Sequence, residues 1–74
     1  MPIVKTPNVL GGKPRVSGTR ISVSILFSMF RHGISDSKIL KAYPRLTQED
    51  LKDVHRFIDD NPRETAMDLI ELES

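Results

Sequence analysis

Residues 22–33, SVSILFSMFRHG, decide how this chain folds. Val23, Leu26, Phe27 and Phe30 take the i, i+3, i+4 and i+7 positions of a helix, and Ile25 and Met29 widen the stripe, so one face must be buried. Ser22 is suited to cap this helix and Gly33 to end it, because glycine enters the left-handed backbone region without steric cost. A helix this apolar belongs at the centre of a core. The flanking sequence has to supply the elements that cover it.

Upstream, residues 1–21 carry prolines at 2, 7 and 14, glycines at 11, 12 and 18, and the β-favouring pairs Ile3-Val4 and Arg15-Val16. Turns joining short strands are expected there. Downstream, Ser35 is a second N-cap, and Ile39, Leu40 and Tyr43 share a face until Pro44 stops the helix, which gives a short helix over 35–43. Thr47-Gln48-Glu49-Asp50 opens a third helix, with Leu51, Val54 and Ile58 inward and Phe57 beside them. Asn61-Pro62 ends it and starts a fourth, with asparagine as the cap and proline at the first helical position. Ala66, Met67, Leu69, Ile70 and Leu72 give that last helix a wide apolar side. The expected fold is mainly α in one domain, 1–74. A strand-turn arm (1–21) precedes a three-helix helix-turn-helix core (22–60), homeodomain-like or winged-helix-like, and a C-terminal helix (61–74) is free for a partner.

At 74 residues the domain is small enough to need support beyond its own core. It contains no cysteine, and its two histidines are isolated, so neither disulfides nor a zinc cluster supply it. No cofactor or metal is expected. Oligomerisation remains, and we expect a homodimer joined through unpaired arm strands and the apolar helix from Ser22. No apolar run reaches the ~20 residues of a membrane span, and no signal-peptide plan opens the chain. A soluble, cytoplasmic protein without a membrane partner is expected.

The net charge of +1 conceals an asymmetry. Residues 1–45 hold eight basic side chains against Asp36 alone, a balance of +7, whereas residues 46–74 hold three against nine acids, a balance of −6. The first half should attract polyanions and the second a basic surface.

GGKPRVSGTRI at 11–21 does not have the spacing of a nucleotide loop. Five residues separate Gly12 from Gly18 where a P-loop has four, and Thr19-Arg20 replaces its Lys-Ser/Thr. Its glycines read as positive-φ positions in two turns. The helix over 35–43, the Pro44-Arg45-Leu46 link and the helix from Thr47 have helix-turn-helix lengths. The would-be recognition helix carries Glu49, Asp50, Asp53, Asp59 and Asp60 against Lys52 and Arg56, so only Thr47 and Gln48 in its first turn suit base edges. Lys38, Lys41 and Arg45 would hold phosphates from the preceding helix, and Lys13, Arg15 and Arg20 from the arm. An enzyme is not expected, because His32 and His55 have no nucleophilic partner and Asp59-Asp60 diverge on a helix.

Gly12-Lys13-Pro14, Gly18-Thr19-Arg20-Ile21, Gly33-Ile34-Ser35 after the apolar helix, Ile39-Leu40, Tyr43-Pro44, Leu46-Thr47 and Glu49-Asp50 form an ordered, ungapped set. Over about residues 3–60 it resembles domain-of-unknown-function family 433. That family comprises small helix-turn-helix-like proteins, often encoded beside a PIN-like ribonuclease and regarded as the antitoxin half of a toxin-antitoxin pair. The resemblance implies a type II antitoxin that binds and silences a PIN-like ribonuclease toxin and autorepresses by binding operator DNA. A DNA-binding regulator without a toxin is the alternative, and a scaffold that only mediates protein contacts is a third reading. The stretch after Asp60 lies outside the resemblance. Its mix of acids and apolar residues suits a basic, RNA-binding partner surface, so Glu64, Met67, Asp68, Leu69, Ile70, Glu71 and Leu72 are the expected toxin contacts.

Overall fold

The structure is a computed structural model and describes residues 3–74. The proline at position 2, read above as part of the arm, lies outside the described residues. Two short strands, β1 (Ile3–Val4) and β2 (Arg15–Val16), precede four helices: α1 (Val23–Arg31), α2 (Asp36–Ala42), α3 (Gln48–Asp60) and α4 (Pro62–Glu73). The fold is mainly helical with a small two-stranded antiparallel sheet.

The helix termini follow the side chains. Ser22 Oγ accepts from the Ile25 amide at 3.2 Å, and Ser35 Oγ from the Lys38 amide at 3.3 Å. Gly33, at φ 75°, ends α1 in a Schellman arrangement, with its amide on the Phe30 carbonyl and the Ile34 amide on that of Met29. Thr47 and Asp50 form a reciprocal capping box on α3. The Asp50 amide donates to Thr47 Oγ1 at 3.1 Å, and the Thr47 amide donates to Asp50 Oδ2 at 3.0 Å. Thr47→Ala is expected to cost about 1 kcal/mol of unfolding free energy, measured as a lower urea midpoint with an unchanged slope.

Asn61 departs from expectation. Its side chain does not cap α4 but turns back to α3, where Nδ2 donates to the Phe57 carbonyl at 3.0 Å. With φ −132° and ψ 57° the residue is outside the extended backbone an N-cap needs. Its carbonyl instead accepts from both the amide and the hydroxyl of Thr65, at 3.0 and 2.7 Å.

The core gathers Val16, Val23, Leu26, Ile39, Leu46, Leu51 and Val54, all buried, with Phe30, Tyr43, Phe57 and Ile58 packed at its margin. Val16 enters it from the arm, so the arm is part of the folded body. Ile3 faces Val16 and Val4 faces Arg15 across the sheet. On its other side, β2 meets the lead-in to α1 through an Arg15–Ser22 bridge and a bond from the Val16 amide to the Ile21 carbonyl. The expectation of unpaired arm strands therefore fails for β2, whose two edges are both occupied within the chain.

α4 packs more extensively on α1 than any other helix does. Thr65 and Leu69 form its buried side, at 2% and 5% exposure, while Met67 and Ile70 are 62% and 61% exposed. The apolar side expected to be wide is thus divided between the core and the surface.

Candidate functional site

The turn that follows β2 builds the first candidate site. Thr19 braces it from within, its hydroxyl donating to the Val16 carbonyl at 2.8 Å and accepting from the Ile21 amide at 3.1 Å. Arg15 then spans the arm. Its Nη1 donates to the Thr19 carbonyl and its Nη2 to Thr6 Oγ1, both at 2.9 Å. Arg45, in the link between α2 and α3, reaches the same turn by donating from Nη1 to the Gly18 carbonyl at 3.3 Å. With exposed Arg20 and with Val9, these residues line a cleft of about 390 Å3. Three of the expected DNA contacts, Arg15, Arg20 and Arg45, thereby meet in one place.

The other expected DNA contacts do not join them. Lys38 and Lys41 are exposed on α2, and Gln48 is exposed at the start of α3. Thr47 has its hydroxyl committed to the α3 cap. Lys13 faces the opposite direction chemically. Its Nζ sits 3.0 Å from Asp68 Oδ1 and 2.5 Å from Glu71 Oε2 on α4. These hydrogen bonds, to Glu71 first and to Asp68 second, raise the Lys13 pKa above 10.5. A raised lysine pKa contributes stability below 10.5 that is lost as pH climbs through the folded-state value, so the clasp is intact at neutral pH.

Seen from α4, the expected toxin contacts divide into three groups. Glu64 pairs with Lys5 at 2.6 Å, and Asp68 and Glu71 with Lys13, so the arm lysines engage acids of the C-terminal half. Leu69 is buried on the inner side of the helix, and Leu72, 45% exposed, borders a groove with Leu10 and Ile25. Met67 and Ile70 stand three residues apart on the outer side.

The histidines have structural partners. His55 stacks on Phe30 with ring centroids 4.1 Å apart, 3.6 Å from Asp36 Oδ1, and His32 Nδ1 lies 2.7 Å from the Ser28 carbonyl. Among the described residues there is no group of three or more potential metal ligands, and no helix is long and apolar enough to cross a membrane.

Among the long-range features absent from the sequence reading are the Lys13–Asp68 pair, 55 positions apart, the Lys5–Glu64 pair, and Arg45 on Gly18, 27 positions apart. No local periodicity encodes them. Residues 3–58 match the family described as "Protein of unknown function (DUF433)". The chain belongs to that family. It is also similar to the crystal structure of a DUF433 member protein from Anabaena variabilis ATCC 29413, at 36% identity and a TM-score of 0.90, over 93% of this chain and 68% of that one. No curated protein matches the chain. α4 lies beyond the residues 3–58 that match the family, yet the DUF433 member's structure overlaps 93% of the chain and so extends into α4.

Proposed function

We propose that this DUF433 protein is a type II antitoxin that binds and inhibits a PIN-like ribonuclease toxin through the outer side of α4 and represses its own operon by binding DNA. One observation carries the toxin-binding half: Met67 and Ile70 are more than 60% exposed on a helix whose inner side already closes the core. Large apolar side chains left in water on a surface otherwise rich in acids suit a partner with an apolar patch and a basic rim. The antitoxin class itself comes from the resemblance of the ordered motifs at residues 12–50.

The DNA-binding half draws support from the arginine cleft. On α3, Lys52 faces Glu49 at 3.9 Å and Arg56 faces Asp53 at 3.4 Å, which leaves that helix strongly acidic and a poor surface for phosphates. In this reading α2 and α3 act as a helix-turn-helix that approaches DNA by the first turn of α3. Arg15, Arg20 and Arg45 make the backbone contacts, assisted by Lys38 and Lys41.

The toxin-binding half requires a PIN-like nuclease encoded beside this chain, and its test is an RNA-cleavage assay with that nuclease; a neighbourhood without one counts against it. Cleavage should fall to background at a stoichiometric ratio of the two proteins. Full cleavage in the presence of excess chain overturns it, and DNA binding without inhibition would favour a regulator that has no toxin.

A further inference from the structure

Lys5, Lys13, Lys52 and Arg56 each face a carboxylate. Of the other seven basic side chains, which face none among the described residues, Arg15, Arg20 and Arg45 come together to line one cleft, whereas Arg31, Lys38, Lys41 and Arg63 lie outside it. Positive charges gathered in a concavity without a counter-charge repel one another, and an anion relieves that repulsion.

The donor inventory points the same way. Two nitrogens of Arg15 are fixed on Thr19 and Thr6 and its Nε–H is buried, so the guanidinium charge is held rigidly at the wall of the cleft. The carbonyls of Gly18 and Thr19 already accept from Arg45 and Arg15, so the lining presents donors. Planar guanidinium forks match the spacing of phosphate oxygens, which spherical halide ions do not reproduce. A volume of about 390 Å3 is at the small end of ligand clefts.

We propose that this cleft binds a single phosphate group, with Arg15 as its fixed wall and Arg20 and Arg45 as the fork that closes on the oxygens. The proposal deepens the DNA-binding reading and rests on it only for the source of the phosphate, which is either a nucleic-acid backbone or a free phosphate ester.

The test is an NMR titration of the full chain with inorganic phosphate at constant ionic strength, beside a chloride control. It follows backbone amides and arginine Nε–H signals. Saturable shifts at Gly18, Thr19 and the arginine side chains are expected with phosphate and not with chloride. Arg20→Gln with Arg45→Gln should weaken phosphate binding by about tenfold or more, whereas Lys52→Gln with Arg63→Gln, two exposed positions outside the cleft, should leave it unchanged. Both arginines are exposed, so the double variant is expected to keep the fold. No saturable shift, an equal response to chloride, or undiminished binding by the arginine double variant overturns the phosphate site, even if a duplex binds elsewhere. When phosphate does bind, displacement by a short DNA duplex supports the backbone source. A duplex that fails to displace it leaves the phosphate site standing and overturns the DNA-binding reading.

Discussion

Leu26→Ala is expected to cost this domain about 2–5 kcal/mol, the range for a leucine deleted from a site that cannot collapse around the cavity. Leu26 is fully buried on α1, the helix that packs against both α3 and α4, so no exposed segment can relax to fill the space. A chain of 74 residues holds roughly 4–11 kcal/mol in total. The variant should therefore lose from roughly a fifth to all of its stability, and its melting temperature should fall by roughly 8–40 °C. Thermal unfolding followed by circular dichroism checks this. A loss below about 1 kcal/mol would mean that α1 is not the centre of the core.

The second large effect concerns partner binding, and it depends on how α4 is divided. Leu69 and Thr65 are used by the fold, Glu64, Asp68 and Glu71 are held by the arm lysines, and Leu72 borders a groove, which leaves Met67 and Ile70 as the most exposed apolar part of the helix. Met67→Asp with Ile70→Asp places two charges where the proposed partner needs apolar contact. Both positions are more than 60% exposed, so folding should change by no more than about 1 kcal/mol, while affinity for the nuclease should fall about 100-fold or more. Leu69→Ala should do the reverse and lower stability by about 2–4 kcal/mol. The contrast separates a helix that only completes the fold from one that also presents a binding face.

Much of this architecture was legible in the residues. The stripe of α1, the caps at Ser22, Ser35 and Thr47, and the left-handed end at Gly33 are local signals, each written in a few neighbouring positions and each found where expected. Asn61 was misread because two helices compete for one side chain, and the C-terminus of α3 takes it. Charge was legible as a sum and not as a map. The count of basic residues before position 46 treats Lys13 and Arg15 alike, yet Lys13 is clasped by Asp68 and Glu71 while Arg15 lies in a cleft without acids. That sorting depends on contacts across most of the chain. The arm illustrates the same limit: β-favouring residues between turns marked Arg15-Val16 as extended, but only the fold brings Val16 into the core and gives β2 partners on both edges.

In the proposed function α4 closes the core with one side and receives the toxin with the other. The decisive measurement is calorimetric titration of the proposed PIN-like nuclease partner with the wild-type chain and with the Met67→Asp/Ile70→Asp variant, after matching melting curves have established that both are folded. Stoichiometric binding by the wild type and a loss of about 100-fold or more in the variant are expected. Equal affinity for the two, or no binding by the wild type, would contradict it.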